Sequence, residues 1–259
     1  MTPSWDLLDL ATDVARQAGA LLLQHYGREA TGVALKSTPT DLVSDADRDS
    51  EELIKGLIAK ERPDDSFLAE ESGGEGSGGG LTWIIDPLDG TVNYLFRIPA
   101  WCVSIAAREG DRTEVGVVHD PNRDETFAAA RGGGSSLNGR SIRVSDTSDV
   151  SQALIGTGFA YDVPTRTVQA EVVRRVLPKV RDIRRGGSAA LDLSYLACGR
   201  LDGFYEAHMQ EWDRAAGVLL IEEAGGVVSR LSDPSGVSDG VIAANPTLHP
   251  ALRGLVLED

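Results

Sequence analysis

The stretch WIIDPLDGTVNY, residues 83–94, places two aspartates directly after a short apolar run. The first three residues have the apolar, β-branched and aromatic character of a buried strand. Pro87 lacks the N–H that a strand ladder needs, so we expect the strand to end at Asp86 and to deliver this carboxylate to a fixed point. Asp89 adds a second carboxylate from the same turn. The sequence therefore predicts two acidic groups at the mouth of the core.

The oxygen atoms of this turn are hard metal ligands. The carboxylates of Asp86 and Asp89, with the carbonyl of Leu88, form a set that suits Mg²⁺ better than zinc or copper. The four histidines of the chain show no paired spacing that would favour zinc. The amides of Gly90 and Thr91 can point at an anion if a helical turn begins there. A cation site and an anion site would then share one turn, although an aspartate that caps its own turn explains Asp86 equally well.

Composition and charge disfavour several classes of partner. The chain has 259 residues, with 25 Lys and Arg against 40 Asp and Glu, which gives a formal net charge of −15. Such a surface repels nucleic acid and anionic membranes, so we expect neither as a partner. Cys102 and Cys198 form no CxxC pair, and we expect both to be reduced. The N-terminus lacks a signal-peptide pattern and no segment approaches 18 apolar residues, which predicts a soluble cytoplasmic protein.

Apolar periodicity predicts mixed α and β structure in the first half. An amphipathic helix opens at Trp5, and a second helix follows Ser44, which has Asp47 at capping-box spacing. The glycine-rich run at 73–80 is expected to form an exposed loop. Residues 101–131 carry three strand-like runs separated by turns, which fit an antiparallel meander.

The second half alternates strands and helices, which is typical of layered α/β structure. Strands are predicted at ALIGTGF, GFYEA and GVIAAN, and helices at residues 165–179, at SAALDLSYLACGR and at WDRAAGVLLIEEAGG. Since no linker forces a cut, we predict one domain over residues 1–259. The softest boundary lies near residue 148, between a half with the metal motif (about 1–148) and a second half (about 149–259).

Several motifs together resemble one family. DPLDGTVNY is similar to the signature of the inositol monophosphatase family of Mg²⁺-dependent, lithium-sensitive phosphatases. Four further segments match in the family's order: DLVSDAD, LAEES, RRGGSAALDLSYLACGRLDGFYE and EWDRAAGVLLIEEAGG. The resemblance implies a layered αβαβα sandwich of the inositol monophosphatase and fructose-1,6-bisphosphatase type, and a homodimer.

The resemblance also implies a ligand set for two to three Mg²⁺ ions. A first ion would be held by Glu70, Asp86 and the carbonyl of Leu88. A second would be held by Asp86, Asp89 and Asp213, and Glu70 would contribute to a third, weaker site. Without the resemblance, Glu70 is explained as part of a solvated acidic face. Asp213 is then explained as a carboxylate that interacts favourably with the positive N-terminal end of a helix.

Catalytic and substrate contacts follow from the same resemblance. The implied catalytic residues are Asp47, Glu70 and Thr91, of which Asp47 and Thr91 would orient the metal-bound water that attacks phosphorus. The phosphate would lie against Gly90 and Thr91, and the alcohol against Gly187, Ser188, Ala189, Glu206 and Asp213. Without the resemblance, Asp47 is explained as a helix-capping carboxylate and Glu206 as a surface residue at a strand end.

The predicted reaction is the hydrolysis of myo-inositol 1-phosphate, or a related polyol phosphate, without a covalent phosphoenzyme. Related enzymes that act on histidinol phosphate, fructose 1,6-bisphosphate or 3′-phosphoadenosine 5′-phosphate share the metal motif and stay alternatives. A different class of function is a non-catalytic regulatory protein that binds a basic protein partner. Arg184 and Arg185 could serve a subunit interface or the site, and the sequence does not choose between the two.

Overall fold

The computed structural model describes residues 4–28, 31–35, 42–75, 80–232 and 239–257. Within these ranges the chain forms seven α-helices and fifteen β-strands. None of the helices found there is long and apolar enough to cross a membrane. Cys102 and Cys198 are both free thiols.

The helices follow one another with strands between them. Their bounds are α1 Trp5–His25, α2 Asp45–Glu61, α3 Thr91–Leu95, α4 Val163–Val176, α5 Ala189–Ala197, α6 Glu211–Glu223 and α7 His249–Leu257. The strands are β1 Ala34–Leu35, β2 Leu42–Val43, β3 Ser66–Ala69, β4 Gly73–Glu75, β5 Thr82–Asp89, β6 Cys102–Glu109, β7 Arg112–Asp120, β8 Glu125–Ala130, β9 Gly134–Leu137, β10 Arg140–Ser141, β11 Leu154–Thr157, β12 Asp182–Arg184, β13 Gly203–Met209, β14 Val227–Ser232 and β15 Asp239–Ala244.

Two large mixed sheets carry most of the strands. The first has the order β10-β9-β8-β7-β6-β5-β3-β4, and its pairs are antiparallel except for β3 with β5. The second has the order β12-β11-β13-β15-β14, in which β11 runs parallel to both of its neighbours. β1 and β2 form a separate pair. The predicted meander is confirmed, since β6, β7 and β8 pair in sequence.

Side-chain alternation on β5 explains how the layers stack. Trp83 and Ile85 point into a core shared with α1 and α2, whereas Ile84 points to the opposite face, where α5 and α6 cover the sheet. The second sheet packs on the other side of α5 and α6, and its outer face is covered by α4 and α7. The layer order is therefore αβαβα, as the resemblance implies.

The end of β5 differs from the sequence-based expectation. The strand does not stop at Asp86 but continues through Pro87 to Asp89. Asp86 pairs with Ser104 and Asp89 with Cys102, so two residues of β5 stand opposite one residue of β6. Pro87 lies inside this β-bulge, where no ladder N–H is required of it, and the bulge aims the second carboxylate.

The other element predictions hold with two exceptions. α2 carries the predicted capping box between Ser44 and Asp47. The predicted helix at residues 165–179 is α4 followed by a 3₁₀ turn at Leu177–Lys179. The predicted loop at 73–80 is wrong for Gly73–Glu75, which form β4 along the edge of β3, while residues 76–79 lie outside the described residues. The sequence also did not predict the helix α7 or the strands β1, β2, β3, β9, β10, β12 and β14.

Candidate active site

The predicted site residues, except Asp47, come together in one cavity of ≈ 490 Å³. It lies where the end of β5 meets the start of α5, the end of β13 and the start of α6. The predicted residues that line it are Glu70, Asp86, Leu88, Asp89, Gly90, Thr91, Gly187, Ser188, Ala189, Glu206 and Asp213. A larger groove of ≈ 810 Å³ between α1 and the end of α2 contains none of them. We therefore place the candidate site in the smaller cavity.

Acidic groups at the floor of the cavity raise one another's pKa. The pKa of Asp86 is well above its usual value because of burial and the charges of Glu70, Asp89 and Asp213. Burial and the charge of Glu70 raise the pKa of Asp89 to about 6, against hydrogen bonds that lower it. The pKa of Asp213 is raised well above normal by burial, then by Asp89 and Glu70. The acidic groups of the cavity therefore repel one another when they are ionised.

Backbone amides hold two of these carboxylates in place. The amide of Leu88 donates to Asp86 Oδ1 at 3.0 Å. Asp86 therefore does cap its own turn, as the alternative explanation from the sequence requires. The amide of Gln210 donates to Asp213 Oδ2 at 2.6 Å as part of a capping box at the start of α6. As they stand, no three acidic, histidine or cysteine side chains of the described ranges close into a metal-ligand set.

Asp89 connects the two halves of the site. Its Oδ2 accepts from the Ser188 hydroxyl at 2.6 Å and from the Ala190 amide at 2.7 Å. Ser188 caps α5, since its Oγ accepts from the Leu191 amide at 3.3 Å. One carboxylate therefore joins the bulge of β5 to the first turn of α5.

Thr91 and Asp47 form a second contact between distant segments. The Thr91 hydroxyl lies 3.0 Å from Asp47 Oδ1 and 3.1 Å from the carbonyl oxygen of Leu88. Asp47 is buried behind the cavity, and both the amide and the hydroxyl of Ser44 donate to its Oδ2. Burial raises the pKa of Asp47, while the hydrogen bonds from Ser44 and Thr91 act in the opposite direction. The capping box of α2 thus fixes an acceptor beside Thr91.

Gly90 is required by the backbone where α3 begins. It has φ +96°, and a Cβ there would lie 3.0 Å from the carbonyl oxygen of Ala100 and 3.1 Å from Trp101. An L side chain would be strained in this conformation and crowded in this space. The helical turn predicted after Gly90 does begin at Thr91.

The second half supplies the opposite wall. Glu206 comes from β13, and its pKa is raised well above normal by burial and then by the charges of Asp213 and Asp192. Of the two arginines before the Gly187 turn, Arg184 pairs with Asp182 at the surface. Arg185 lines the cavity instead. Only Arg185 is therefore placed to act near a ligand.

Sequence reasoning missed several residues at or beside the cavity, of which three have informative polar side chains. Asp192 on α5 lines it and has a pKa raised to about 7, mainly by burial and by the charge of Asp89. His208 lines it with a left-handed backbone of φ 66° at a register shift in β13. Asn93 on α3 donates to the carbonyl oxygen of Gly186 in the second half. Only Asp192 left a sequence signal, a carboxylate within an apolar helix.

A model of the inositol monophosphatase family matches residues 6–258 of the chain. The chain belongs to the inositol monophosphatase family. It is therefore a phosphatase of that family, and the resemblance found in the sequence is confirmed.

Individual members of the inositol monophosphatase family match over most of their length. The chain is 40% identical over 250 residues to the Nus factor SuhB of Escherichia coli strain K12, covering 95% of this chain and 94% of that protein. It is 43% identical over 248 residues to the inositol-1-monophosphatase of Mycobacterium bovis, covering 92% and 85%. The solved inositol monophosphatase of Anabaena sp. PCC 7120 superposes with a TM-score of 0.84 at 39% identity, covering 98% of this chain and 96% of that one. The layered family fold is thereby confirmed.

Proposed function

We propose that this phosphatase depends on Mg²⁺ and releases phosphate from myo-inositol 1-phosphate or a related polyol phosphate. The observation that carries the proposal is the cavity in which acidic groups of β5 and α6 face the Gly187 turn and Glu206. The similarity to a protein named inositol-1-monophosphatase supports the choice of substrate.

The donor set fits Mg²⁺. The groups that would hold the ions are oxygen donors: the carboxylates of Glu70, Asp86, Asp89 and Asp213 and the carbonyl of Leu88. Burial and then their mutual charges raise the pKa values of Asp86, Asp89 and Asp213, so bound cations would relieve a repulsion between these groups. We propose two to three ions per site, as the resemblance implies. When bound, Mg²⁺ lowers the pKa of a water molecule and stabilises developing charge on phosphate oxygens.

The protein groups have separate tasks in this proposal. Thr91, which is hydrogen-bonded to Asp47, orients the attacking water. We propose Glu70 as a third catalytic residue, as the resemblance implies. The backbone of Gly90 and Thr91 faces the phosphate. The alcohol is recognised by the turn of Gly187, Ser188 and Ala189, together with Asp213 and Glu206, because a carboxylate accepts two hydrogen bonds from neighbouring hydroxyls.

A second candidate is a regulatory, protein-binding role. The observation that favours it is the 40% identity to a relative named Nus factor SuhB. All catalytic and metal-binding residues that the resemblance implies are present in the chain, which supports catalysis ahead of a purely binding role. The homodimer, the lithium sensitivity, the cytoplasmic location and the lack of a nucleic-acid partner stay predictions.

The deciding experiment measures phosphate release by the purified chain with excess Mg²⁺ and with excess chelator. The substrates are myo-inositol 1-phosphate, histidinol phosphate, fructose 1,6-bisphosphate and 3′-phosphoadenosine 5′-phosphate. We expect Mg²⁺-dependent release that is fastest with inositol 1-phosphate. Preference for another ester would overturn the substrate and keep the metal chemistry, whereas equal release in chelator would overturn the metal dependence. No release from any ester would favour the regulatory role.

A further inference from the structure

Asn93 bridges the two halves of the chain next to the cavity. It lies on α3, two residues after Thr91, and only 7% of it is exposed. Its Nδ2 donates to the carbonyl oxygen of Ala100 at 2.7 Å and to the carbonyl oxygen of Gly186 at 2.9 Å. Ala100 belongs to the same half as Asn93, whereas Gly186 is 93 residues further along the chain.

The segment that Asn93 contacts is the proposed alcohol-binding turn, residues 186–190. This turn is held on the first half at both ends, by Asn93 at Gly186 and by Asp89 at Ser188 and Ala190. Within the second half, the amide of Gly186 donates to Asp192. The two ends of the turn are therefore held by Asn93 and Asp89, which flank the proposed phosphate-binding residues Gly90 and Thr91 in the sequence.

The contact between Asn93 and the turn is close as well as hydrogen-bonded. Gly187 has φ +93°, and a Cβ at this position would lie 2.7 Å from Asn93 Nδ2 and 3.1 Å from Asn93 Oδ1. The absence of a side chain on Gly187 lets the carboxamide pack directly against the backbone of the turn. A shift of the carboxamide would therefore be transmitted to the turn itself.

The chemistry of the contact calls for a carboxamide. An asparagine side chain has two N–H donors, and both are used here on backbone carbonyls of two different segments. Removing the amide leaves the carbonyl oxygens of Ala100 and Gly186 without this donor, and aspartate of the same shape has no donor to offer when ionised. The position is therefore sensitive to the donor and not only to the volume of the side chain.

We propose that Asn93 is a positioning residue that sets the alcohol-binding turn 186–190 against the phosphate-binding turn 86–91, so that selectivity for the alcohol depends on it. The inference rests on the proposed function, because it takes the alcohol to lie against the 186–190 turn. Asn93 itself need not touch the substrate.

The test compares two esters, one with an alcohol that the turn can recognise and one without, and each variant is compared with the wild-type chain on the same ester, so that the better leaving group of nitrophenol cancels. Inositol 1-phosphate presents ring hydroxyls, whereas 4-nitrophenyl phosphate presents the same phosphate on a group without any. For Asn93→Ser we expect kcat/KM for inositol 1-phosphate to fall roughly 10- to 100-fold, mainly through KM, with a change of less than about threefold for 4-nitrophenyl phosphate. Asn93→Gln keeps both donors on a longer side chain. It should lower the ratio of kcat/KM for inositol 1-phosphate to kcat/KM for 4-nitrophenyl phosphate by a smaller factor.

Asn245 provides a matched control. It is a buried asparagine outside the cavity, and its Nδ2 donates to the carbonyl oxygen of Thr147 at 2.7 Å. Asn245→Ser removes a similar contact and should leave the ratio of the two kcat/KM values unchanged. A second readout is hydrogen exchange of the full-length chain, in which residues 184–190 should exchange faster in Asn93→Ser but not in Asn245→Ser.

The outcomes separate this inference from the function on which it rests. Equal losses for both esters, or an unchanged ratio with unchanged exchange at 184–190, would overturn the positioning role. If Asn93→Ser does not fold, the Asn93→Gln ratio decides in the same way. Failure of the wild-type chain to hydrolyse either ester would instead remove the proposed phosphatase function.

Discussion

The Thr91 hydroxyl has one proton and two acceptors within reach, the carboxylate of Asp47 and the carbonyl of Leu88. Whichever of the two accepts the hydrogen bond from Thr91, the Thr91 Oγ1 atom keeps a lone pair that can accept a hydrogen bond from a water molecule in the cavity. The orientation of that lone pair depends on Asp47, which two contacts from Ser44 hold rigidly. A helix cap and the hydroxyl that we propose to be catalytic are thus connected through a single carboxylate.

We expect Thr91→Val to lower kcat by about 100-fold or more, because valine keeps the branched shape and loses the hydroxyl. Thr91→Ser should retain most of the activity, since it keeps the oxygen. Steady-state kinetics on inositol 1-phosphate measures both. Thr126→Val is the control, because the hydroxyl of Thr126 contacts His119 away from the cavity. A Thr91→Val enzyme with wild-type kcat would remove Thr91 from the reaction.

Single residues show which part of the site the sequence could predict. Asp86, Asp89 and Thr91 were predictable because they stand together in one short motif. Asn93 stands in the same motif but was missed, since its partner Gly186 is identified only by a distance across the fold. His208 was missed because a left-handed backbone at a non-glycine residue leaves no signal in composition or periodicity.

Among the elements, α6 and β7 approach each other unusually closely. A Cβ on Gly116 of β7 would lie 2.9 Å from the Cα of Ala216 and 3.0 Å from its carbonyl oxygen. Backbone atoms cannot move away as a flexible side chain can. Because α6 begins with the segment that carries Asp213, this contact also sets the position of one wall of the cavity.

We expect Gly116→Ala to lower the free energy of unfolding by about 1–3 kcal/mol, because the added methyl group is forced against backbone. Gly56→Ala is the matched control. Gly56 lies exposed on α2, and a Cβ there meets no described atom within 4 Å. This change should stabilise the chain by about 0.5–1 kcal/mol. Urea denaturation of both variants measures the difference, and equal midpoints would contradict the close-approach argument.

The elements also show why part of the fold was not predictable. The helices α1 and α2 and the meander were found because their apolar periods are long and their caps or turns are clear. The continuation of β5 through Pro87 was not, because a bulge that tolerates proline is visible only in the pairing with β6. β4 was missed because its glycine-rich composition gave no strand pattern.

For the molecule as a whole, several of the 40 acidic residues are gathered at the cavity. Besides the proposed metal ligands, burial raises the pKa of Asp192 to about 7 and that of Glu206 well above normal. The folded state therefore binds protons at these groups more tightly than the unfolded chain does. Their stabilising contribution is present below the pKa of an unfolded carboxyl group and is lost as the pH rises through the folded value.

We expect the stability of the metal-free chain to fall as the pH rises from about 5 to about 8, and to fall less steeply in Asp192→Asn. Asparagine keeps an acceptor for the Gly186 amide and cannot ionise. Urea midpoints in excess chelator at several pH values measure the slope. Asp6→Asn makes the same change of charge at an exposed residue and should retain the wild-type slope. Identical slopes in wild type and Asp192→Asn would show that burial does not raise this pKa.

The central helix layer, α5 with α6, packs against one face of each large sheet. These two helices are encoded after residue 188, whereas the whole eight-stranded sheet is encoded before residue 142. During synthesis the first sheet therefore emerges with Ile84, Ala106 and Val118 uncovered, and it stays so until some eighty further residues have left the ribosome. Over that interval the uncovered apolar face makes the nascent chain prone to aggregation, well before the chain can hold a substrate.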